Sequence, residues 1–360
     1  MHKKSVKMEI ERSKPIMIKP KRLEPGDTIA IVSLSWGGLG DPELLHKYEI
    51  AKKRLTEDFH LNVVTMPHAL SGSAFINAHP ELRAKDLMDA FRDPDINGIF
   101  SAIGGDDSVR ILPYIDKAVF RAHPKVFMGY SDTTITHFML YQAGLVSFYG
   151  PSIMCEFGEY VQMLPYTENA VRKMLFEATK DFKILSSPEW SDEYIPWCKA
   201  NQNVQRKMKP EVHGYELLQG EGRVKGHLLG GCIDVFTMCI GTSIWPDLSA
   251  WEGALLFIET SEDKPSPDFV KYVLRNLAAQ GIFDVINGII VGKPQGEVYY
   301  KDYQAVLMTV VGLEAGRSDL PILYNVNIGH AFPTGVLPYG IQAEINCEAK
   351  TLTLLENATC

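Results

Sequence analysis

Short apolar runs alternate with segments of helical spacing from residue 27 to residue 151, and this alternation constrains the fold more than any other feature. The pattern predicts strands at 28–34, 61–66, 96–103, 126–128 and 146–149, with helices at 42–59, 81–91 and 132–143. Strands that alternate with helices favour a parallel sheet that is covered on both faces. The sequence therefore predicts a doubly wound, mostly parallel α/β domain, in which a ligand binds beyond the carboxyl ends of the strands.

A second unit follows a break in this pattern. Apolar runs recur at 255–258, 285–291 and 322–326, with helices at 267–280 and 303–315 and a closing strand within 347–360. We expect a smaller C-terminal α/β domain, with the active site in the cleft between the domains. The predicted segments are a solvated basic tail at 1–22, the N-terminal domain at 23–165, a connecting excursion that carries tryptophans at 166–220 and the C-terminal domain at 221–360.

Composition excludes several classes of partner. A net charge of −8 argues against a nucleic acid or an anionic membrane as the main partner, and no apolar run is long enough to span a bilayer. Six cysteines without a CxxC pair are typical of reduced thiols, so we predict a cytoplasmic protein without a metal. The glycines at 37, 38 and 40 lack the spacing of a dinucleotide loop, and Asp41 would repel a pyrophosphate. No cofactor is predicted.

Ser131 follows the apolar run that ends at Gly129, and a helix is predicted directly after it. A serine at a sharp turn from strand to helix is held with its hydroxyl exposed, beside the free N–H groups of the helix. Such a turn needs slim residues two positions on either side, and Gly129 and Thr133 meet this need. A plainer interpretation, which the turn taken alone favours, is that Ser131 and Asp132 only cap the helix.

Two further polar residues follow apolar runs in the C-terminal half. Glu259 ends a run of four apolar residues and is costly to bury without a partner, although it could instead be a charge ahead of the helix predicted at 267–280. His330 enters a loop rich in Pro and Gly, where catalytic residues of α/β proteins gather. His227 precedes a predicted turn at 228–231 and is expected to pack structurally, whereas Glu262 and Asp263 are expected to be solvated.

The turn after the predicted strand at 96–103 carries a glycine pair. Gly104 and Gly105 allow the backbone to approach a substrate closely and to direct an N–H group at it. An ordinary turn without a ligand is the alternative.

Several motifs resemble the L,D-carboxypeptidase family of serine peptidases, in order from about residue 23 to residue 355. The segments are Ile103-Gly-Gly-Asp-Asp-Ser108, Gly129-Tyr-Ser-Asp-Thr-Thr134, Phe148-Tyr-Gly-Pro151, Gly222-Arg-Val-Lys-Gly226 with Leu229-Gly-Gly231, Leu256-Phe-Ile-Glu-Thr260 and Gly329-His330. Within this family the chain looks most similar to the microcin C immunity branch. The Gly-Tyr-Ser-Asp-Thr-Thr and Phe-Tyr-Gly-Pro segments and the excursion with Trp190 and Trp197 carry that part of the resemblance.

The resemblance implies a triad of Ser131, Glu259 and His330, a homodimer, and no metal or cofactor. It implies an oxyanion hole formed by the backbone N–H groups of Gly105 and Asp132. The implied substrate contacts are Gly104, Asp106, Trp190, Trp197 and Asp234. Trp197 is the residue expected to stack on an adenine, with Trp190 behind it. One departure from the family is Cys232, which stands where an asparagine usually follows the Gly-Gly pair.

We therefore predict a serine peptidase or amidase that cleaves the amide between a peptidyl or aminoacyl carboxylate and a modified nucleotide. The alternative within the family is an L,D-carboxypeptidase that releases the terminal D-alanine from murein tetrapeptides. An alternative of another class is a non-catalytic protein whose cleft only binds a small ligand.

Overall fold

The computed structural model describes residues 16–360. The N-terminal part contains a strand-and-helix alternation like the predicted one. Its strands and helices are β1 (Thr28–Val32), α1 (Leu45–Glu57), β2 (Asn62–Thr65), α2 (Ser73–Ala78), α3 (Pro80–Arg92), β3 (Gly98–Ser101), α4 (Lys117–Ala122), β4 (Val126–Gly129), α5 (Thr134–Gln142), β5 (Phe148–Tyr149) and α6 (Pro165–Val171). Short 3-10 helices lie at Gly38–Gly40, Ser108–Tyr114 and Ser131–Thr133, and π-helical turns lie at Ile153–Phe157 and Arg172–Phe176.

The rest of the chain adds more strands than the sequence predicted. Four short strands fall between α6 and residue 220, namely β6 (Phe182–Ile184), β7 (Glu189–Trp190), β8 (Lys209–Pro210) and β9 (Glu216–Gln219). The remaining elements are β10 (Arg223–Cys232), α7 (Ile233–Cys239), α8 (Leu248–Trp251), β11 (Ala254–Glu259), α9 (Pro267–Ala279), α10 (Ile282–Val285), β12 (Gly288–Gly292), α11 (Tyr300–Leu307), β13 (Ile322–Val326), β14 (Leu337–Pro338), β15 (Gln342–Asn346) and β16 (Thr351–Leu354). Short 3-10 helices lie at Lys199–Asn201 and Gln295–Glu297, and a π-helical turn lies at Met308–Glu314.

The first sheet has the strand order β14-β5-β4-β3-β1-β2 and is parallel except for β14, which pairs antiparallel with β5. Residues 126–129 of β4 are buried throughout, as expected for a strand covered by helices on both faces. The strand order reverses between β1 and β3, so a crevice opens beyond their carboxyl ends. This arrangement confirms the predicted doubly wound, mostly parallel α/β sheet.

The second sheet has the order β6-β16-β15-β10-β11-β12-β13-β9, with a parallel centre from β10 to β13 and antiparallel strands on both sides. It contains eight strands against six in the first sheet, because β6 and β9 of the excursion form its two edges. The turn predicted at 228–231 is wrong, since these residues lie within β10. Gly230 serves close strand packing there, because a Cβ on it would lie 1.7 Å from the carbonyl oxygen of Phe257.

Part of the predicted solvated tail pairs with the fold. Residues 1–15 lie outside the described residues, but Ile18 forms a parallel bridge with Leu145, and the amide of Arg22 donates to the carbonyl of Cys360 at 3.1 Å. Residues 18–22 therefore pair with the N-terminal domain and with the C-terminal residue Cys360. No helix among residues 16–360 has the length and apolar character needed to cross a membrane.

Candidate active site

Ser131 lies at a strained turn between β4 and α5. Its φ of +62° is in the left-handed region, which residues other than glycine rarely adopt. Neither the 3-10 turn at Ser131–Thr133 nor α5 receives a capping hydrogen bond from a side chain. The helix-capping interpretation of Ser131 is therefore wrong, and the strain at this position needs support from neighbouring residues.

Tyr149, at the end of β5, supplies that support and connects the serine to the second sheet. The backbone N–H of Ser131 donates to the Tyr149 hydroxyl at 3.1 Å, and this hydroxyl donates to Glu259 Oε1 at 2.5 Å. Burial, followed by the charge of Glu259, raises the pKa of Tyr149 far above its ordinary value, so the hydroxyl stays a donor. One buried hydroxyl thus fixes the distance between the serine turn and the carboxylate.

Glu259 and His330 form a buried pair. Glu259, at the end of β11, is 1% exposed, and its Oε2 lies 2.7 Å from Nδ1 of His330. The alternative role of Glu259 as a helix charge is wrong, because the N-terminus of α9 is capped by the Ser266 hydroxyl instead. Burial lowers the pKa of His330, but the charge of Glu259 and the hydrogen bonds to its two carboxylate partners outweigh burial and hold this pKa well above its ordinary value.

The second carboxylate partner of His330 is Glu262, which the sequence reasoning placed in solvent. Its Oε2 lies 2.9 Å from Nε2 of His330, although its side chain remains 62% exposed. The hydrogen bond from His330 lowers the pKa of Glu262 to about 2. Among the hydrogen bonds of residues 16–360, Glu262 and not Ser131 is thus the partner of Nε2.

The glycine turn after β3 packs directly against the serine turn. A Cβ on Gly104 would lie 2.8 Å from Oγ of Ser131, so only glycine leaves the hydroxyl its space. Asp132 is fully buried; its carboxylate accepts the N–H of Ser108 at 2.8 Å, and its carbonyl accepts the Ser108 hydroxyl at 3.0 Å. The predicted oxyanion donors, on Gly105 and Asp132, therefore belong to two turns that are fastened together.

Cys232 ends β10 beside Glu259 and His330, and Asp234 follows in the first turn of α7. Three potential metal ligands meet here: one ligand atom from each of Cys232, Glu259 and His330 lies within 4.8 Å of the other two. Such a set could hold a metal ion. The donors fit such an ion poorly, because Nδ1 of His330 is bonded to Glu259, and burial with the charge of Glu259 raises the pKa of Cys232 far above normal. The absence of a metal stays our prediction.

The predicted substrate contacts lie in different environments. Asp234 is occupied by Ser261, whose N–H and hydroxyl donate to its two oxygens at 3.1 and 3.0 Å. Asp106 is exposed, beside the buried Gly104. Trp190 is only 7% exposed, and Nζ of Lys293 lies 4.2 Å from its ring centroid. Asp234 and Trp190 thus have partners within the chain, and their contact with a substrate stays a prediction.

Trp197 has an aromatic neighbour that the sequence did not indicate. Its ring lies 6.5 Å from that of Trp36, with an angle of 16° between the two planes, and Nζ of Lys47 lies 5.0 Å from the Trp197 ring. The backbone N–H of Trp36 donates to the carbonyl of Gly104 at 3.1 Å. The two indoles therefore lie next to the glycine turn, at the crevice beyond β1 and β3.

Two family models match the chain. Residues 29–150 match the LD-carboxypeptidase N-terminal domain, and residues 225–345 match the LD-carboxypeptidase C-terminal domain. The chain belongs to the LD-carboxypeptidase family. This membership identifies it as a hydrolase of peptidase type and confirms the family that the motifs indicated.

Relatives of this family member include proteins of microcin immunity. The microcin C7 self-immunity protein MccF of Escherichia coli is 30% identical over 280 residues, which cover 76% of this chain and 78% of that protein. An MccF-like protein from Streptococcus pneumoniae, solved in complex with AMP, has a TM-score of 0.85 and 36% identity, covering 92% of this chain and 99% of that one. MccF solved in complex with aspartyl sulfamoyl adenosine has a TM-score of 0.81 and 26% identity, covering 95% and 100%. The predicted likeness to the microcin C immunity branch is confirmed.

Sequence reasoning missed three residues of this site, namely Trp36, Tyr149 and Glu262. Tyr149 lies in one of the motifs that carried the family resemblance, but nothing in the spacing assigned its hydroxyl a partner. Glu262 follows Glu259 by three positions in a polar loop, and its contact with His330 depends on how that loop folds back.

Proposed function

We propose that this family member is a serine-type amide hydrolase. Ser131 attacks the scissile carbonyl, His330 accepts the serine proton and passes it to the leaving amine, and Glu259 orients the imidazole and stabilises its cation. The observation that carries this proposal is the hydrogen-bonded path from the Ser131 amide through Tyr149 to Glu259 and His330. It joins a strained serine on one sheet to a carboxylate–imidazole pair on the other.

The proposed oxyanion donors are the backbone N–H groups of Asp132 and Gly105. They belong to the turns that flank the Ser131 hydroxyl, and the bonds between Ser108 and Asp132 keep these turns in register. Donors that are fixed before the reaction stabilise the charge of the tetrahedral intermediate without reorganising. Removing one such donor typically lowers kcat by about 10²–10³.

The substrate we favour is an aminoacyl or peptidyl group joined through an amide to a modified nucleotide. The indoles of Trp36 and Trp197 support this choice, because a base that stacks on an aromatic side chain gains roughly 1–3 kcal/mol. The relatives solved with AMP and with aspartyl sulfamoyl adenosine are consistent with it. Lys47 sits beside the Trp197 ring and adds a positive charge near the proposed base or phosphate site.

A second candidate is cleavage of the amide before the terminal D-alanine of a murein tetrapeptide. The family models, which describe LD-carboxypeptidase domains, favour it. Both candidates use the same proposed nucleophile and base, so they differ in the acyl group and the leaving group that the cleft accepts.

The first test incubates the wild type and Ser131→Ala with an aminoacyl-sulfamoyl adenosine and, separately, with an L,D-tetrapeptide, and follows the products by mass spectrometry. We expect release of the sulfamoyl nucleoside, with a rate reduced roughly 10⁴–10⁶-fold in Ser131→Ala. Ser249→Ala, at an exposed serine in α8, is the control that should keep full activity. A Ser131→Ala protein that retained a tenth of the wild-type rate would disprove the serine mechanism.

Substitution of Trp36 or Trp197 tests which of the two substrates the cleft accepts. Trp197→Ala and Trp36→Ala should raise KM for the nucleotide substrate by about tenfold or more and leave tetrapeptide cleavage much less affected. Tyr194→Ala, at a residue of the same excursion that is 84% exposed, is the control. Loss of D-alanine from the tetrapeptide alone would instead support the second candidate.

A further inference from the structure

Glu262 occupies the ring nitrogen that the proposed reaction needs. Nδ1 of His330 is committed to Glu259 at 2.7 Å, so only Nε2 can accept the proton of Ser131. In this structure Nε2 pairs with Oε2 of Glu262 at 2.9 Å. An imidazolium held between two carboxylates carries a proton on each nitrogen and cannot act as a base. Glu262 must therefore leave Nε2 before the reaction can begin.

The loop that carries Glu262 allows the side chain to move alone. Ser261, the preceding residue, is anchored through its N–H and its hydroxyl to Asp234. The Ser261 hydroxyl also accepts the N–H of Asp263, the following residue, at 3.3 Å. The side chain of Glu262 is 62% exposed, and in the described part of the chain its hydrogen-bond partner is His330. Rotation of this side chain exchanges its partner without moving the loop backbone.

A positively charged group beside the scissile carbonyl is the partner that would replace the imidazolium. In an aminoacyl substrate the α-nitrogen lies about 2.5 Å from the carbonyl carbon, by standard bond lengths and angle. During attack, Nε2 of His330 lies about 3 Å from the Ser131 hydroxyl that approaches this carbon. With an attack distance of about 3 Å, the α-nitrogen then lies within roughly 8 Å of Nε2, a span that rotation of the Glu262 side chain about its three single bonds can cover.

We infer that Glu262 is the receptor for a free α-ammonium group on the acyl side of the substrate, and thereby selects aminoacyl over N-acylated, peptidyl substrates. This inference rests on the proposed hydrolysis of a nucleotide-linked amide. When the ammonium group binds, Glu262 turns from the imidazolium to the new cation. His330 then releases its Nε2 proton to solvent and becomes a neutral base that faces Ser131. Recognition of the amino group and activation of the base are thus one event.

The charges around His330 agree with this exchange. The ring is faced by Glu259 and Glu262, with the Cys232 thiol beside them and the Tyr130 ring at 4.9 Å. Burial raises the pKa of both Cys232 and Tyr130 far above normal, so neither contributes a charge at neutral pH. An ammonium group that enters the site therefore takes over the positive charge that the imidazolium provides now.

The test compares alanyl-sulfamoyl adenosine with its N-acetyl derivative on the wild type, Glu262→Gln and Asp263→Asn. We expect the wild type to favour the free amine roughly 10–100-fold in kcat/KM, the range for one hydrogen bond between charged groups. Glu262→Gln should lose this preference, and the acid limb of its pH profile should move to lower pH because His330 loses one carboxylate. Asp263→Asn, the adjacent exposed carboxylate, should keep the preference.

Binding of the two compounds to Ser131→Ala, measured by calorimetry, separates the possible failures. Equal hydrolysis of both compounds by the wild type, or an unchanged preference in Glu262→Gln, overturns the role of Glu262 and leaves the nucleotide substrate standing. If neither compound binds, both the role of Glu262 and the proposed nucleotide-linked substrate are overturned. Glu262→Asp, which keeps the charge but shortens the reach, should retain part of the preference and serves as the second variant.

Discussion

Removal of the Tyr149 hydroxyl tests the connection between the two sheets. This hydroxyl donates to Glu259 at 2.5 Å and accepts the Ser131 N–H at 3.1 Å, so Tyr149→Phe leaves two groups without a partner. An unpaired N–H in a buried site costs about 1–3 kcal/mol, and a lost hydrogen bond to a charged group costs about 1.5–3 kcal/mol. We therefore expect the free energy of unfolding to fall by about 2.5–6 kcal/mol, the sum of these two costs. Because the serine turn also loses its support, kcat should fall roughly 10–100-fold.

The matched control is Tyr324→Phe. The Tyr324 hydroxyl is equally buried but donates to a backbone carbonyl, that of Tyr300, at 2.9 Å in the C-terminal part. Its loss should cost about 1 kcal/mol and leave kcat unchanged. Unfolding in urea, followed by circular dichroism, gives the first quantity, and initial rates at saturating substrate give the second. If the two variants had equal free energies of unfolding and Tyr149→Phe kept the wild-type kcat, the role of Tyr149 in supporting the serine turn would be refuted.

Three further predictions follow from the site. Gly104→Ala places a methyl group 2.8 Å from the Ser131 hydroxyl, so turnover should drop by roughly 10² or more while circular dichroism reports an intact fold. Burial lowers the pKa of His330, but its carboxylate partners outweigh burial and hold the pKa well above 6.5. Since only the neutral imidazole accepts a proton, kcat/KM should rise with pH through a midpoint above 6.5, and a midpoint below 6 would contradict the assignment. Burial raises the pKa of Cys232, so iodoacetamide should label the exposed Cys198 far sooner, as peptide mass spectrometry can measure; equal rates would count against a buried, protonated thiol.

Local patterns in the sequence predicted most of the central strands. The strand at 126–129 is apolar along its whole length, and the strand at 322–326 has Asn325 as its one amide side chain, so burial on both faces could be recognised from the residues. The break after residue 166 was harder to interpret. Its strands β6 and β9 are short, half-polar edge strands, and they form only because the second sheet supplies partners.

The sequence by itself determined which polar residues stand at the ends of strands, because the carboxyl ends of parallel strands meet at one edge and Ser131, Glu259 and His330 follow apolar runs. Only the tertiary structure decided which of these groups touch. Tyr149 reaches Glu259 across 110 positions of the chain, and Glu262 reaches His330 from an exposed loop. Such contacts depend on how the two sheets and their loops pack together, and no periodicity along the chain encodes the distance between residues of different elements. For this reason the strand-end residues could be named from the sequence, whereas the hydroxyl that joins them and the carboxylate that restrains the histidine could not.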